Sequence, residues 1–311
     1  MVAGVFMKKR VLIFICLLIA AALSMQGCIS TLLSSIQTER RGPAMWIIED
    51  KDGHRCYLFA TSHIGQNDSL FPLPDVIEDA YSYCSSVAFE YDFTLDSAHA
   101  EPVYGDGTTI KDHIAENVYN AAVAKIKDHE RDYDGKYDNC TAAVWYSVLE
   151  NIAMEQSGFS SDYGTEAYIM NKAKTDGKTV YELEGAEYLE ELESFVTDKV
   201  YESFIISILN NRNYSSYTSY DTVYKNGDLT SLTYSVNSMM NAQYQDAALS
   251  AGMQTYYEKF YKERNRKIAD EIMKYLSSGE RVFACVECSH IVGTDGVAAN
   301  LQSGGYKVIR K

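Results

Sequence analysis

The chain reads as an α/β protein of the α+β kind: a mixed central sheet from two strand, His loop, helix, strand half-units, with a large helical region between them. Three observations predict it. "FATSHIGQN" near the front and "CVECSHIVGTDG" near the back carry the same Ser-His-Ile frame, each directly after an apolar run, although the chain has only six histidines. Each frame leads into a helical pattern and then another short apolar run. The sequence between the two blocks spaces its apolar residues for helices rather than strands.

The elements follow in order. "MKKRVLIFICLLIAAALSMQGC" has a basic start at Lys8, Lys9 and Arg10, an apolar stretch from Val11 to Leu23, and Gly27-Cys28 at its end, the layout of an export signal that initiates at Met7. It resembles a bacterial lipoprotein signal, with Cys28 as the lipidated residue and Met25 standing where such signals most often carry Leu. The apolar run is short for the ~20 residues of a membrane-spanning helix. This divides the chain into a signal peptide (1–27), a tether (28–45) and one folded domain (46–311), held outside the cytoplasm in the bacterial cell envelope.

"MWIIEDKDGHRCYLFATSH" predicts two strands with Asp52-Gly53 at the turn. Pro74 is placed to start a helix whose apolar face is Val76, Ile77, Ala80 and Cys84. "SVAFEYD" is a buried strand carrying Glu90. Helical spacing then covers Ile110 to Lys127, Thr141 to Gln156 and Thr165 to Lys174; "KTVYELE" interrupts as a strand ending in Glu182 and Glu184. Glu187 to Asn211, Ser231 to Leu249 and Gln254 to Leu276 read as long helices, among tyrosines such as Tyr214, Tyr217, Tyr220 and Tyr224, a pattern suited to packing with wet hydroxyls. The end repeats the opening grammar: "RVFACVE" as a strand, Ser289-His290, a short helix in "TDGVAANLQSGG" with a glycine stop, and "YKVIRK" as a last strand.

Bulk properties narrow the function. The chain has 311 residues, 46% of them hydrophobic, and only 4 prolines, which suits a sizeable core and offers no linker. The formal charge is −15, and removing the signal takes away basic groups only, so nucleic acid is excluded as a partner. Cys56, Cys84, Cys140, Cys285 and Cys288 remain after the signal and the lipidated Cys28, an odd number with no disulfide-scaffold spacing.

His63, His290 and Glu90 are singled out by position, since a His just past the carboxyl end of a strand is where open α/β sheets build ligand sites. Two imidazoles and a carboxylate suit a divalent ion such as Mn²⁺, Co²⁺ or Zn²⁺ with an open position for water. Ser62 and Ser289 are poor nucleophiles for their neighbouring histidines, because adjacent residues on an extended chain point apart. Cys285 and Cys288 lack the His of a haem site directly after the second Cys, and Cys285 sits in a strand, where residues three apart face opposite sides. They are expected as buried structural thiols. Glu182, Glu184, Glu287 and Arg264 are further candidates for the same cleft, Arg264 as a fixed positive fork for an oxyanion.

"CYLFATSHIG", "SVAFEYD", "GTEAYIMNKAKTDGKTVYELEGAEYLEEL", "ERNRKIADEI" and "RVFACVECSHIVGTDGVAANLQSGGYKVIRK" together resemble the TraB/PrgY/GumN family, related to the TIKI metalloproteases. The resemblance runs from about Trp46 to the end and implies an α/β core of two half-units. It also implies a divalent metal (Mn, Co or Zn) held by His63 and His290, with Glu90 as a further site residue and an Arg264-Asn265 pair late in the chain. The Gly that opens each GxxH frame of the family is Ala60 and Glu287 here, and Glu287 either crowds the cleft or adds a carboxylate to it.

Two functions follow as expectations. One is a lipid-anchored, metal-dependent hydrolase acting on a peptide or small-molecule substrate, with Glu90, Arg264 and Asn265 as catalytic residues and Ser62, Ser289, Glu184 and Glu287 around them. The other is a lipoprotein that binds or sequesters a peptide without cutting it. A purely structural envelope lipoprotein predicts no cleft joining the two histidines.

Overall fold

The computed structural model describes residues 42–92, 102–210 and 214–311. The expected signal, Cys28 and nearly all of the tether lie outside the described residues. Strands β1 (Met45–Glu49), β2 (Arg55–Thr61), β3 (Ser86–Phe89), β4 (Thr179–Glu182), β5 (Val282–Glu287) and β6 (Lys307–Arg310) form one mixed sheet in the order β4-β3-β5-β2-β1-β6. Strands β4, β3, β5 and β2 run parallel, while β1 is antiparallel to both β2 and β6. The α/β architecture with a mixed sheet is as the sequence predicts.

The β1–β2 hairpin closes where "KDG" places it. Gly53 adopts φ +85°, and the Asp50 carboxylate accepts from the backbone N–H groups of Asp52 and His54. At the centre of the sheet all six residues of β5 are buried. Its alternation divides two cores: Phe283 and Cys285 pack with Phe59, Val87 and Phe89, while Val282, Ala284 and Val286 pack with Leu58, Ala60 and Ala88. Cys285 and Cys288 accordingly lie in different cores, and all five cysteines of the described residues are buried and free, as expected of structural thiols.

Helices α1 (Asp75–Tyr83), α2 (Glu116–His129), α3 (Ala142–Gln156), α4 (Thr165–Thr175), α5 (Ala186–Ser194), α6 (Asp198–Leu209), α7 (Tyr214–Lys225), α8 (Leu229–Met240), α9 (Ala247–Tyr257) and α10 (Arg264–Ser278) lie between β2 and β5, interleaved with β3 and β4. The short α11 (Cys288–Ile291) and α12 (Val297–Ser303) follow β5. Helices α1 and α4 supply Ile77, Ala80, Tyr81, Ile169, Met170 and Ala173 to the smaller core; the other core holds the helical middle.

Several boundaries differ from the sequence expectation for identifiable reasons. The buried face of α1 is Ile77, Ala80, Tyr81 and then Cys84, a true i, i+3, i+4, i+7 set, and Val76 falls one residue outside it and is 49% exposed. Ile110–Asp112 is a separate 3-10 turn with a Thr109–Asp112 capping box, and α2 starts only at Glu116. The long helix expected from Glu187 is two, α5 and α6, because Thr197 accepts a hydrogen bond from Val200 N–H and caps a new start. Asp246 likewise caps α9, splitting the expected helix to Leu249. The polar run "YSSYTSYDTVYK" is helix α7, with Tyr217, Tyr220 and Tyr224 buried along one stripe.

Candidate functional site

Four parallel strands end at one edge of the sheet, and each carries a titratable side chain just beyond that end. Strand β2 leads into His63, β5 into His290, β3 into Glu90 and β4 into Glu184. Strands β2 and β5 are hydrogen-bonded neighbours, with Thr61 opposite Glu287, so the two Ser-His-Ile frames leave the sheet side by side. This is the carboxyl-end crevice expected of parallel α/β sheets.

The His63 loop is fixed by the start of α4. Ser62 Oγ donates to the Ile64 carbonyl at 2.8 Å, closing a local turn. Ser62 N–H donates to Thr165 Oγ1, and Thr165 N–H donates back to the Ser62 carbonyl, each at 2.9 Å. Gly164 makes this approach possible: a Cβ there would stand 2.6 Å from the His63 carbonyl oxygen. The next residue but one, Glu166, then reaches His63 and accepts from its Nδ1 at 2.5 Å, with both side chains buried.

Arg264 and Asn265 arrive through a backbone irregularity. Residues Glu258–Glu263 form a π-helical turn between α9 and α10, and the helix resumes at Arg264 with both Arg264 and Asn265 buried. A π turn shifts helical phase and is a common way of turning side chains into a site. Arg264 Nη2 donates to Glu90 Oε2 at 2.6 Å, its Nε donates to Glu184 at 2.8 Å, and its Nη1 donates to His290 Nε2 at 3.1 Å. Among the described residues, two of the five guanidinium N–H groups, one on each terminal nitrogen, are left over.

His290 is held at both edges. Asn265 Nδ2 donates to the Asp295 carbonyl at 2.9 Å, so its Oδ1 faces the ring and accepts from His290 Nδ1 at 2.6 Å. That fixes the proton on Nδ1 and leaves the Nε2 lone pair for Arg264. Tyr261 stacks on the ring with centroids 5.2 Å apart.

Glu287 does not enter this hub through its carboxylate. It caps α11, accepting from Ser289 N–H at 2.8 Å and from the Ser289 hydroxyl, while Tyr220 OH donates to its other oxygen at 2.9 Å. Its backbone N–H donates to Glu90 Oε1 at 2.9 Å. Glu182 lies on the exposed side, accepting from Asp92 N–H. Ser62 and Ser289 are thus structural hydroxyls, tied to Ile64 and Glu287, whereas Glu90, Glu184, His290, Arg264 and Asn265 share one network.

The electrostatics separate the two histidines. Burial works against charge on His63, but the carboxylates of Glu166, Glu90 and Glu287 outweigh it and raise its pKa to about 9. On His290, burial and the adjacent Arg264 act together and lower the pKa to about 3, with Glu90 opposing. Burial pushes Glu90 up, yet Arg264, His290 and His63 overcome it and hold the carboxyl at about 2. Glu184 is raised to about 7 by burial, against the pull of Arg264. Burial also raises Glu166, with His63 opposing. One frame therefore carries a proton-bearing imidazole and the other a neutral one.

A divalent ion held by His63, His290 and Glu90 would need free lone pairs on all three. The anchoring of both Nδ1 edges on oxygen atoms is the second-sphere arrangement typical of ligating histidines. The donor atoms themselves are committed elsewhere: the single lone pair of His290 and the outer oxygen of Glu90 both face Arg264, and the inner oxygen of Glu90 faces Glu287 N–H. Among the described residues no three His, Cys, Asp or Glu side chains group as ligands would. As arranged, the residues do not fit the ion.

Sequence reasoning missed Glu166, the partner that orients His63, although "GTEAYIM" contains it two residues after the glycine that the loop requires. It also missed Tyr261. A family model described as TraB/PrgY/gumN matches residues 44–310, and the chain belongs to that family. No curated protein and no solved structure matches the chain.

Proposed function

We propose that this chain is a hydrolase acting on peptide-like bonds at the carboxyl edge of its parallel strands, with His63 as the proton-transfer group. The observation that carries the proposal is the opposed setting of two buried histidines, His63 on the Glu166 carboxylate and His290 on the Arg264 guanidinium. Pairs of titratable groups driven apart in pKa mark acid and base assignments, and here both are fully buried and both act electrostatically on Glu90.

His63 is oriented through Nδ1 by Glu166, which stabilises the charged ring, and no hydrogen bond among the described residues reaches its Nε2. A neutral His63 takes a proton from water through Nε2 and returns it to the departing nitrogen, with Glu166 holding the imidazolium in the role familiar from His-carboxylate pairs. Arg264, positioned by Glu184, Glu90 and His290, offers its two remaining N–H groups to the oxygen that becomes negative. Asn265 fixes His290, and His290 fixes the guanidinium; both are positioning residues.

The peptide-like substrate class rests on the relation to the TIKI metalloproteases that the family resemblance implies. A second reading, a lipoprotein that closes over a peptide without cutting it, is favoured by the burial of His63, Glu90, Arg264 and His290, each 2% exposed or less. In both readings Cys28 carries lipid and the domain works at the membrane surface outside the cytoplasm. Incubating the full chain and its His63→Ala variant with a peptide library, followed by mass spectrometry, decides between them: cleavage lost in the variant supports the hydrolase, and saturable binding without products supports the binder.

A further inference from the structure

Two of the three side chains that a metal would need, His290 and Glu90, meet on a guanidinium. We infer that Arg264 is the resident cation of this site, taking the seat of a divalent ion, so that the folded wild-type chain holds no metal at His63, Glu90 and His290. The inference concerns which cation the site holds, and it stands whether or not the site cuts peptides.

Three features carry it. His290 has only one lone pair to give. Its Nδ1 proton is committed to Asn265 Oδ1, and the Asn265 amide cannot turn over because its Nδ2 donates to the Asp295 carbonyl. The remaining Nε2 lone pair receives Arg264 Nη1 at 3.1 Å. Glu90 is occupied at both oxygens, by Arg264 Nη2 at 2.6 Å and by Glu287 N–H at 2.9 Å. Glu184, fully buried, accepts from Arg264 Nε at 2.8 Å. A planar fork with donors on three sides satisfies an imidazole and two carboxylates at once, which neither a lysine nor a spherical ion reproduces with this geometry.

The cation is also built into the fold. The π-helical turn at Glu258–Glu263 sets the phase that points Arg264 and Asn265 inward together. A divalent ion entering beside a buried, permanently charged guanidinium would meet like-charge repulsion at short range in a poorly screened setting. Arg264 here occupies the His290 and Glu90 donor atoms that the family resemblance implies for a metal.

The test reads metal and stability. The full chain is dialysed against Mn²⁺, Co²⁺ or Zn²⁺, bound metal is measured by mass spectrometry, and melting is followed with and without EDTA. The expected result is less than about a tenth of an equivalent bound and no change in Tm on chelation, since a ligand that binds the folded state must raise it. One equivalent of metal, lost in both His63→Ala and His290→Ala, overturns the inference.

The Arg264→Ala variant provides the converse. It frees the His290 and Glu90 donors, so it melts lower than wild type, gains Mn²⁺ or Co²⁺ binding, and recovers several degrees of Tm in metal. That recovery disappears when His290→Ala is added. A folded Arg264→Ala protein with no gain in metal affinity shows that guanidinium and ion do not compete for these donors, and rejects the inference. If the variant does not fold, the wild-type metal measurement decides alone.

Discussion

Replacing Glu166 by Gln tests how His63 is charged. The side chain keeps its size, and its amide oxygen still accepts from His63 Nδ1, so the 2.5 Å contact is changed in charge more than in shape. His63 is raised from an ordinary value near 6.5 to about 9 with Glu166 as the largest raising influence, followed by Glu90 and Glu287. That difference corresponds to roughly 3 kcal/mol of preference for the charged ring. Loss of the Glu166 charge should lower the His63 pKa by more than one unit, about 1.4 kcal/mol.

The assay is an NMR titration of ¹³C-labelled imidazoles between pH 5 and pH 10. Because the folded pKa is raised, the stability from His63 is fully present below about 6.5 and is lost as pH rises through about 9. Wild type should therefore lose urea stability over that window, and Glu166→Gln should lose less. A His63 that titrates at the same pH in both proteins refutes the assignment of Glu166 as its partner.

The remaining predictions concern the loop, the acid limb, the orientation of His290 and the anchor. Gly164→Ala places a methyl group 2.6 Å from the His63 carbonyl oxygen and should cost about 2 kcal/mol or more in urea unfolding; a loss under about 0.5 kcal/mol contradicts the close approach. The lowered pKa of His290 means that its stability is present above about 6.5 and lost as pH falls toward 3, and that of Glu90 is present above about 4.5 and lost as pH falls through 2. Glu184, raised to about 7, gains stability as pH falls through the same range, so the reading is the difference between proteins: the stability gap between wild type and His290→Gln should shrink as pH falls from 6.5 to 4.5, and a constant gap counts against a neutral buried His290. Asn265→Leu removes the acceptor of His290 Nδ1 and should lower kcat by ten-fold or more with a smaller change in KM, while Asn265→Ser restores part of it; equal losses in both point to a packing role alone. Cys28→Ser should abolish labelling by a fatty-acid analogue and release the chain from membranes, and retained labelling would remove the anchor.

Much of the sheet was legible because its residues obey local rules. "KDG" sits at the hairpin turn, β5 is an unbroken apolar run, and both histidines follow strands that pair directly. The helical middle was less so. Periodicity cannot see a capped break such as Thr197 or Asp246, and a stripe of buried tyrosines in a polar run hides α7. At the site, position within a frame identified His63 and His290, and the strand ends identified Glu90 and Glu184.

Their partnerships came from tertiary structure. Glu166 is 103 residues from His63 and meets it only because Gly164 lets two backbones touch. Arg264 was expected near an oxyanion, but its grip on His290, Glu90 and Glu184 depends on the phase of a π turn, which no spacing rule reveals. Glu287 was expected in the cleft or crowding it; its carboxylate instead caps the helix that bears His290, and only its backbone N–H reaches the hub.

The most direct test of the hydrolase reading is peptide turnover in EDTA, comparing wild type with His63→Ala and Arg264→Ala by mass spectrometry of products between pH 7 and pH 9. The expected result is cleavage by wild type that persists in chelator, rises with pH through that range and is lost in both variants. Undiminished cleavage by His63→Ala, or no cleavage of any peptide by wild type, would contradict it.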